Sequence, residues 1–226
     1  MVTKSKPIID GAYRFSIAPM LDCTDSHFRI LMRQISKRAL VYSEMVVAKA
    51  LQHKEGRALL DFDEIEHPIS IQLGGDNANL LAEAAQMAED WGYDEINLNI
   101  GCPSPKVKSG NFGACLMGKP KIVASCIEKM KKSCNIPITV KHRLGIDNLD
   151  NDKYLMKFVD NCSIAGADRF IIHARKAWLN GLNPKENRTI PPLQYERVEK
   201  LKNNRPELII ELNGGINTIN DCIKAL

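Results

Sequence analysis

Short apolar runs alternate with longer amphipathic runs along most of the chain. The short runs are rich in β-branched residues and are bounded by turn residues, which is typical of strands buried on both faces of a parallel sheet. The pattern predicts seven strands, at residues 15–19, 39–43, 68–73, 95–99, 136–142, 169–173 and 208–213.

The amphipathic runs between the strands have the spacing of helices. Residues 79–91, 120–134 and 152–165 each place apolar side chains along one face. Gly92 and Gly166 follow two of these runs as stop signals, and residues 152–165 open with an N-cap candidate. Thr218, with Asp221 three residues later, predicts a capping box at a further helix.

Repeated alternation of strands and helices predicts an α/β fold with a parallel sheet. Seven units in one series favour a TIM (β/α)8 barrel over a doubly wound sheet, although only about seven of the eight units are present. We found no linker, repeat or low-complexity segment, so residues 1–226 are expected to form one incomplete barrel domain.

Composition narrows the possible classes of protein. The 226 residues carry a net charge of +4, which permits an anionic partner without requiring one. Seven cysteines with no CxxC pair argue against a disulfide framework, a zinc ribbon and an iron–sulfur site. The sequence shows neither an apolar signal core nor a run of membrane-spanning length, so we expect a cytoplasmic protein without a metal, a membrane or an obligate protein partner.

Polar side chains stand at the carboxyl ends of five predicted strands, where barrels of this class place their active sites. Each alone has an ordinary structural explanation, such as a loop cap or a half-buried histidine. Together they would bury many polar groups at one mouth, which is costly without a ligand and favours a binding site. The five residues are Gln72, Asn99, Lys141, His173 and Asn213.

Two further features lie at the same end of the predicted barrel. Gly214 and Gly215 follow strand seven, where they serve either a turn or a phosphate site. Cys102 lies in a loop over the site, where a largely protonated thiol could act as a general acid or as a nucleophile. We favour the acid because no histidine and asparagine pattern of a cysteine hydrolase accompanies it, and we interpret Cys115 as structural.

The segment INLNIGCP at residues 96–103, followed by Val107 and by Gly113 and Ala114, resembles the signature of the tRNA-dihydrouridine synthases. The blocks APM at 18–20, KHR at 141–143, HAR at 173–175 and NGG at 213–215 match that family in order and spacing. Residues 173–188 look like the bacterial A branch, which modifies the D-loop at positions 20 and 20a.

The resemblance implies NADPH-dependent, FMN-mediated reduction of uridine to 5,6-dihydrouridine in tRNA. Hydride would pass from flavin N5 to C6 of the uracil, Cys102 would protonate C5, and Asn99 would bind the base. The FMN-binding residues implied are Pro19, Met20, Gln72, Lys141, His173, Asn213, Gly214 and Gly215. The basic loop at residues 174–193 would contact tRNA through Arg175, Lys185, Asn187 and Arg188.

The family pattern also contains an eighth strand and a C-terminal helical domain, which are absent from this sequence. We therefore expect a C-terminally truncated chain that binds FMN and tRNA poorly or not at all and whose activity is in doubt. Two alternatives remain: a noncatalytic tRNA-binding fragment, and another FMN-dependent barrel dehydrogenase that acts on a free pyrimidine.

Overall fold

The computed structural model describes residues 15–226. Seven parallel strands form one sheet in sequence order, each paired with the next strand along the chain. The strands are β1 (Ser16–Ile17), β2 (Leu40–Val47), β3 (Ile69–Gly74), β4 (Glu95–Ile100), β5 (Ile138–Arg143), β6 (Arg169–His173) and β7 (Ile210–Asn213).

Helices connect most of the consecutive strands and pack against the sheet. They are α1 (Ser26–Ile35), α2 (Ala78–Trp91), α3 (Pro105–Ser109), α4 (Pro120–Ser133), α5 (Asp152–Ile164), α6 (Tyr195–Asn204) and α7 (Ile219–Ala225). Apolar side chains of α2, α4 and α5 form the core together with the fully buried apolar residues of β3 to β6. Every connection joins parallel neighbours through a crossover, which is the arrangement of a TIM barrel.

The sheet curls into an open barrel, so the prediction of the fold class is confirmed. The hydroxyl of Ser16 on β1 donates a hydrogen bond to the carboxylate of Glu211 on β7, which brings the first and last strands together. A cavity of about 900 Å³ lies between these strands and α7, lined by residues that include Ile17, Ile210 and Leu226.

A buried polar layer crosses the interior of the barrel. Arg169 donates to Glu95 at 2.6 Å and to the hydroxyl of Tyr42 at 3.2 Å. Burial raises the pKa of Glu95, and the charge of Arg169 opposes that rise. Because each strand contributes one member, the layer links all seven strands; the members are Ser16, Tyr42, Ser70, Glu95, Thr139, Arg169 and Glu211.

Local signals in the sequence correspond closely to the helix ends. α5 begins at Asp152, but its cap is Asn151, whose side chain accepts the N–H of Tyr154 at 2.9 Å. The chain leaves α5 through Gly166, whose φ of +103° favours glycine. The capping box of Thr218 and Asp221 is confirmed at the start of α7.

The seven cysteines are free thiols, and Cys126, Cys134 and Cys162 are buried in the core. Within residues 15–226, no group of three or more His, Cys, Asp or Glu side chains is arranged to hold a metal ion. No helix in this described part of the chain is long and apolar enough to cross a membrane.

Candidate active site

The five polar residues predicted at strand ends do lie at one end of the barrel. Asn99 on β4 is in register with Lys141 on β5, and His173 on β6 is in register with Asn213 on β7. Gln72 lies on β3, next to β4 in the sheet. Parallel pairing places the carboxyl ends of these strands at a common edge.

A chain of buried amides joins the first two of these residues. Gln72 donates from Nε2 to Oδ1 of Asn97 at 2.8 Å and accepts at Oε1 from Nδ2 of Asn99 at 2.8 Å. Asn97 in turn donates to the hydroxyl of Thr139 at 2.9 Å. This series of hydrogen bonds fixes which way the Asn99 amide points, because each amide in the series is oriented by the neighbour that it bonds.

Asn99 shapes the turn that carries the predicted catalytic thiol. Its Oδ1 accepts the main-chain N–H groups of Gly101 and Cys102, both at 3.0 Å. With one N–H donated to Gln72, these contacts leave a single N–H of the Asn99 amide for a further partner within the described residues. This positioning role in the protein was not foreseen from the sequence, which assigned Asn99 to the substrate base.

A close approach of two backbones completes this turn. The carbonyl of Cys102 accepts the N–H of Ala114 at 2.9 Å. Gly113 has a φ of +70°, and a Cβ built on it would lie 2.6 Å from the Cys102 oxygen. Glycine at position 113 is therefore required by space as well as by backbone conformation. The turn holds Cys102 partly buried at the end of β4.

The competing thiol has a different environment. The Sγ of Cys115 donates to the carbonyl of Phe112 at 3.1 Å, and burial raises the pKa of this thiol. Cys115 lies in the 3-10 helix Gly113–Gly118, and its hydrogen bond to Phe112, the residue before that helix, fits the structural interpretation of Cys115.

Lys141 places a cation between β4 and β7. Its Nζ donates to Oδ1 of Asn213 at 3.1 Å. Burial and then the charge of Arg143 lower its pKa to about 8, while Glu211 and Cys102 act in the opposite direction. The ammonium group is therefore held in a site that favours the addition of negative charge.

His173 is kept neutral by its surroundings. Burial, followed by the positive charges of Arg143 and Lys141, lowers its pKa to about 2. Its Nδ1 is buried and has no hydrogen-bond partner among residues 15–226. Buried polar atoms are normally paired, so this nitrogen marks a place for a polar atom of a ligand.

The two glycines after β7 adopt conformations that favour glycine. Gly214 has a φ of +99° and Gly215 a φ of +71°. A Cβ on Gly214 would lie 3.1 Å from the ring of His173. The carbonyl of Gly214 accepts a hydrogen bond from the hydroxyl of Tyr195 at 2.6 Å. These glycines therefore form a tight turn against His173.

Pro19 and Met20 follow β1 at the same edge of the sheet. The carbonyl of Met20 accepts the N–H of Thr24 at 3.0 Å, which turns the chain toward α1. Met20 is 42% exposed. Its position after the end of β1 is compatible with binding a ligand at the mouth, although no hydrogen bond within the described residues joins it to the five strand-end residues.

Residues 174–193, which we call the basic segment, follow the carboxyl end of β6. Arg175 donates from Nε to the carbonyl of Arg188 at 2.8 Å, and Lys185 and Arg188 are exposed. Apart from the 3-10 helix Glu186–Arg188, the segment has no regular structure, as the sequence predicts for most of it. The exposed side chains of Lys185 and Arg188 are available to an anionic partner.

Asn187 does not share that exposure. Its side chain is fully buried; it donates to the carbonyls of Trp178 and Leu182 at 3.0 and 3.1 Å and accepts the N–H of Trp178 at 2.8 Å. A side chain committed in this way to main-chain groups is not offered to RNA. We therefore correct the expectation of a direct tRNA contact and assign Asn187 to the internal structure of the basic segment.

Among solved structures, the fold is similar to a truncated form of 3-deoxy-D-arabino-heptulosonate 7-phosphate synthase from Thermotoga maritima. The TM-score is 0.52, with 14% sequence identity over 89% of this chain and 64% of that chain. At this level of identity, the likeness bears on the fold alone.

Curated relatives share much more sequence. The chain is 57% identical to the tRNA-dihydrouridine(20/20a) synthase of Synechocystis sp. over 89% of its length and 60% of the relative's. It is 53% identical to that of Shewanella oneidensis, over 91% and 61%, and 52% identical to that of Escherichia coli, over 93% and 64%.

The chain thus spans about 60–64% of the length of these relatives. The family model described as "Dihydrouridine synthase (Dus)" matches residues 16–226, which include all seven strands and the strand-end residues described above. From this match and the identities above, we conclude that the chain belongs to the dihydrouridine synthase family.

Proposed function

We propose that residues 1–226 form the active-site barrel domain of a tRNA-dihydrouridine synthase, which reduces uridine to 5,6-dihydrouridine in the tRNA D-loop at positions 20 and 20a. The observation that carries this proposal is the place of Cys102, whose main-chain N–H is bound by Asn99 at the end of β4 and whose thiol lies near half-buried Lys141 and buried Arg143. In this proposal the protein acts in the cytoplasm, and NADPH is the reductant.

The residues at the mouth fit FMN. The unpartnered Nδ1 of His173 can bond a polar atom of the cofactor, and Lys141 supplies a cation for a ring that gains negative charge. Bound FMN, reduced by NADPH, would supply the hydride that adds to C6 of the uracil. The remaining residues that we propose to hold FMN are Pro19, Met20, Gln72, Asn213, Gly214 and Gly215.

Cys102 completes the reduction as a general acid. The proton on Sγ passes to C5 of the base, and the resulting thiolate recovers a proton from solvent. The free N–H of Asn99 would donate to a carbonyl oxygen of the uracil.

The base reaches this thiol only when it leaves its stack. Arg175, Lys185 and Arg188 in the basic segment would hold the phosphates of the surrounding D-loop. These side chains make a polynucleotide the expected substrate, because a free pyrimidine has no phosphates for them to bind.

The test compares tRNA with free uracil as substrates for the purified chain supplied with FMN and NADPH. Dihydrouridine at D-loop positions is measured by mass spectrometry of nuclease fragments. Reduction of tRNA but not of uracil is expected. Reduction of free uracil alone would favour the pyrimidine dehydrogenase, and tRNA binding with no reduction under any condition would favour the noncatalytic fragment.

The proposed RNA surface leads to a separate prediction. Replacing Lys185 or Arg188 by glutamate should weaken tRNA binding and lower the slope of log K against log salt by about one for each phosphate that is no longer bound. Binding is measured by fluorescence anisotropy at several salt concentrations. Lys157→Glu, which makes the same charge change at an exposed position of α5, serves as the control. Equal effects of all three variants would reduce the interaction to net charge and remove the basic segment from the interface.

A further inference from the structure

Arg143 lies at the end of β5 with its side chain buried between two loops. Its Nε donates to the carbonyl of Gly101 at 3.0 Å. Its Nη1 donates to the carbonyls of Lys176 and Asn187, at 3.1 and 2.8 Å. Within residues 15–226, all the acceptors that we find for this guanidinium are main-chain oxygens, so it bonds the backbone of the loops and not their side chains.

The two loops that Arg143 joins have different tasks in the proposed function. Gly101 immediately precedes Cys102 in the turn at the end of β4, whereas Lys176 and Asn187 belong to the basic segment. A guanidinium is planar, with its donors fixed in one fork. Movement of either loop would therefore break hydrogen bonds that also hold the other loop.

The charges that act on Arg143 also place it between the Cys102 turn and the basic segment. Burial lowers its pKa to about 10, the negative charge of Cys102 raises it, and the charges of Arg188 and Arg175 lower it. Arg143 is thus close enough to interact with the thiol on one side and with two cations of the basic segment on the other. Burying a charge without hydrogen bonds is destabilising, and the main-chain carbonyls that accept from Arg143 offset that cost.

Resting on the proposed function, we infer that Arg143 is a positioning residue that holds the Cys102 turn and the basic segment as one unit. RNA bound to the basic segment then sets the place of the base relative to the thiol. Arg143 itself touches neither the cofactor nor the base in this arrangement. Loosening it is expected to impair turnover through geometry and not through the loss of a charge.

A second link between the same loops provides a matched control. Nζ of Lys108 on α3 donates to Oδ1 of Asn180 at 2.6 Å and to the carbonyl of Leu179 at 3.4 Å. The bond to exposed Asn180 lies at the surface, whereas the side chain of Arg143 is buried. Exposed hydrogen bonds of a lysine contribute little, so Lys108→Met should leave the two loops in place.

The decisive test is hydrogen exchange of the free protein, since it does not depend on catalysis. In Arg143→Met and in Arg143→Lys, exchange should rise roughly tenfold or more both in the peptide around residues 100–104 and in the peptide around 174–188. A peptide from α5 should be unchanged, and Lys108→Met should change neither loop by more than about twofold. A rise in only one loop, or an equal rise in α5, would overturn the coupling.

Turnover of tRNA then separates position from charge. Lysine keeps the positive charge but lacks the planar fork that reaches three carbonyls, so Arg143→Lys should lose kcat as Arg143→Met does, roughly tenfold or more. Reduction of the bound flavin by NADPH should stay within about twofold in both variants, because Arg143 bonds only the loops. Full recovery of kcat by lysine would show that charge alone is needed and would overturn the positioning role.

The two proposals fail in distinguishable ways. If the unaltered chain reduces no tRNA, the proposed function is in error, while the exchange experiment still decides whether Arg143 couples the two loops. If tRNA is reduced normally but exchange in the two loops is independent, the coupling is refuted and the proposed function stands.

Discussion

Replacing Cys102 by alanine is expected to lower the rate of uridine reduction by about 10²- to 10⁴-fold, the usual contribution of a general acid. The substitution removes the only atom that we propose as the proton donor to C5. The turn itself should survive, because Asn99 bonds main-chain N–H groups of Gly101 and Cys102 and not the thiol. Binding of FMN and of tRNA should therefore stay close to that of the unaltered chain.

The measurement is single-turnover formation of dihydrouridine after the flavin has been reduced. Cys115→Ala is the matched control, since this second thiol follows the same strand and bonds the carbonyl of Phe112. It should leave the rate within about twofold. Unchanged reduction in Cys102→Ala, or an equal loss in Cys115→Ala, would remove Cys102 from the proposed mechanism.

The affinity for FMN is expected to fall as the pH rises through about 8, because the pKa of Lys141 lies there and its charged form would bind the anionic cofactor. The group is protonated below this pKa, so the interaction is complete at pH 7 and is lost at higher pH. If only the charged form contributes, the dissociation constant should rise about tenfold for each pH unit above the pKa, until binding by the uncharged form takes over.

Other groups of the mouth do not titrate in this window. His173, with a pKa of about 2, is neutral throughout, and Arg143, with a pKa of about 10, stays charged up to about pH 9. Titrations between pH 6.5 and 9 are followed by flavin fluorescence in the Cys102→Ala background, which removes the thiol from consideration.

Lys141→Gln provides the comparison for this titration. Loss of a charge-assisted hydrogen bond, about 1.5–3 kcal/mol, should weaken FMN binding roughly 10- to 150-fold at pH 7 and remove the dependence on pH above 8. The same pH profile in the glutamine variant would assign the titration to another group. A flat profile in the Cys102→Ala chain with Lys141 intact would show that Lys141 does not bind the cofactor through its charge.

The inner strands β3 and β4 were predictable because their runs are buried on both faces. β6 has the predicted bounds, β3 is shifted by one residue at each end, and β4 is one residue longer at its carboxyl end. β2 extends to Val47, beyond the predicted end at residue 43, since a register shift between Tyr42 and Met45 interrupts its regular pattern. The two-residue β1 is shorter than predicted and pairs only with Leu40 and Val41.

Helix α1 escaped prediction because it inverts the usual pattern. It buries Arg29 and Arg33, while Leu31 and Ile35 are 56% and 73% exposed. Arg29 pairs with buried Glu66, and Arg33 donates to the carbonyl of Ala39 at 2.9 Å. A search for an apolar face does not find such a helix, since these two inward-facing side chains are charged and bind polar groups.

Helix α3 could have been found from its first residues. Ser104 caps it by accepting the N–H of Val107 at 3.2 Å, and Pro105 occupies the first turn.

The members of the candidate site were predictable because strand ends converge in a barrel, but their partners were not. Nothing near Asn187 in the sequence indicates that its amide bonds the backbone of its own segment and is closed to solvent.

The amide chain that ends at Asn99 also bears on how the molecule assembles. Alternate residues of a strand face opposite sides, so a slip of one residue between β3 and β4 would turn Gln72 away from Asn99. The Asn99 amide would then lose the hydrogen bond to Gln72 that orients its oxygen toward the N–H groups of Gly101 and Cys102. Slow exchange of these two amides therefore reports correct alignment of neighbouring strands, and during refolding it should develop only after β3 and β4 have paired in their final register.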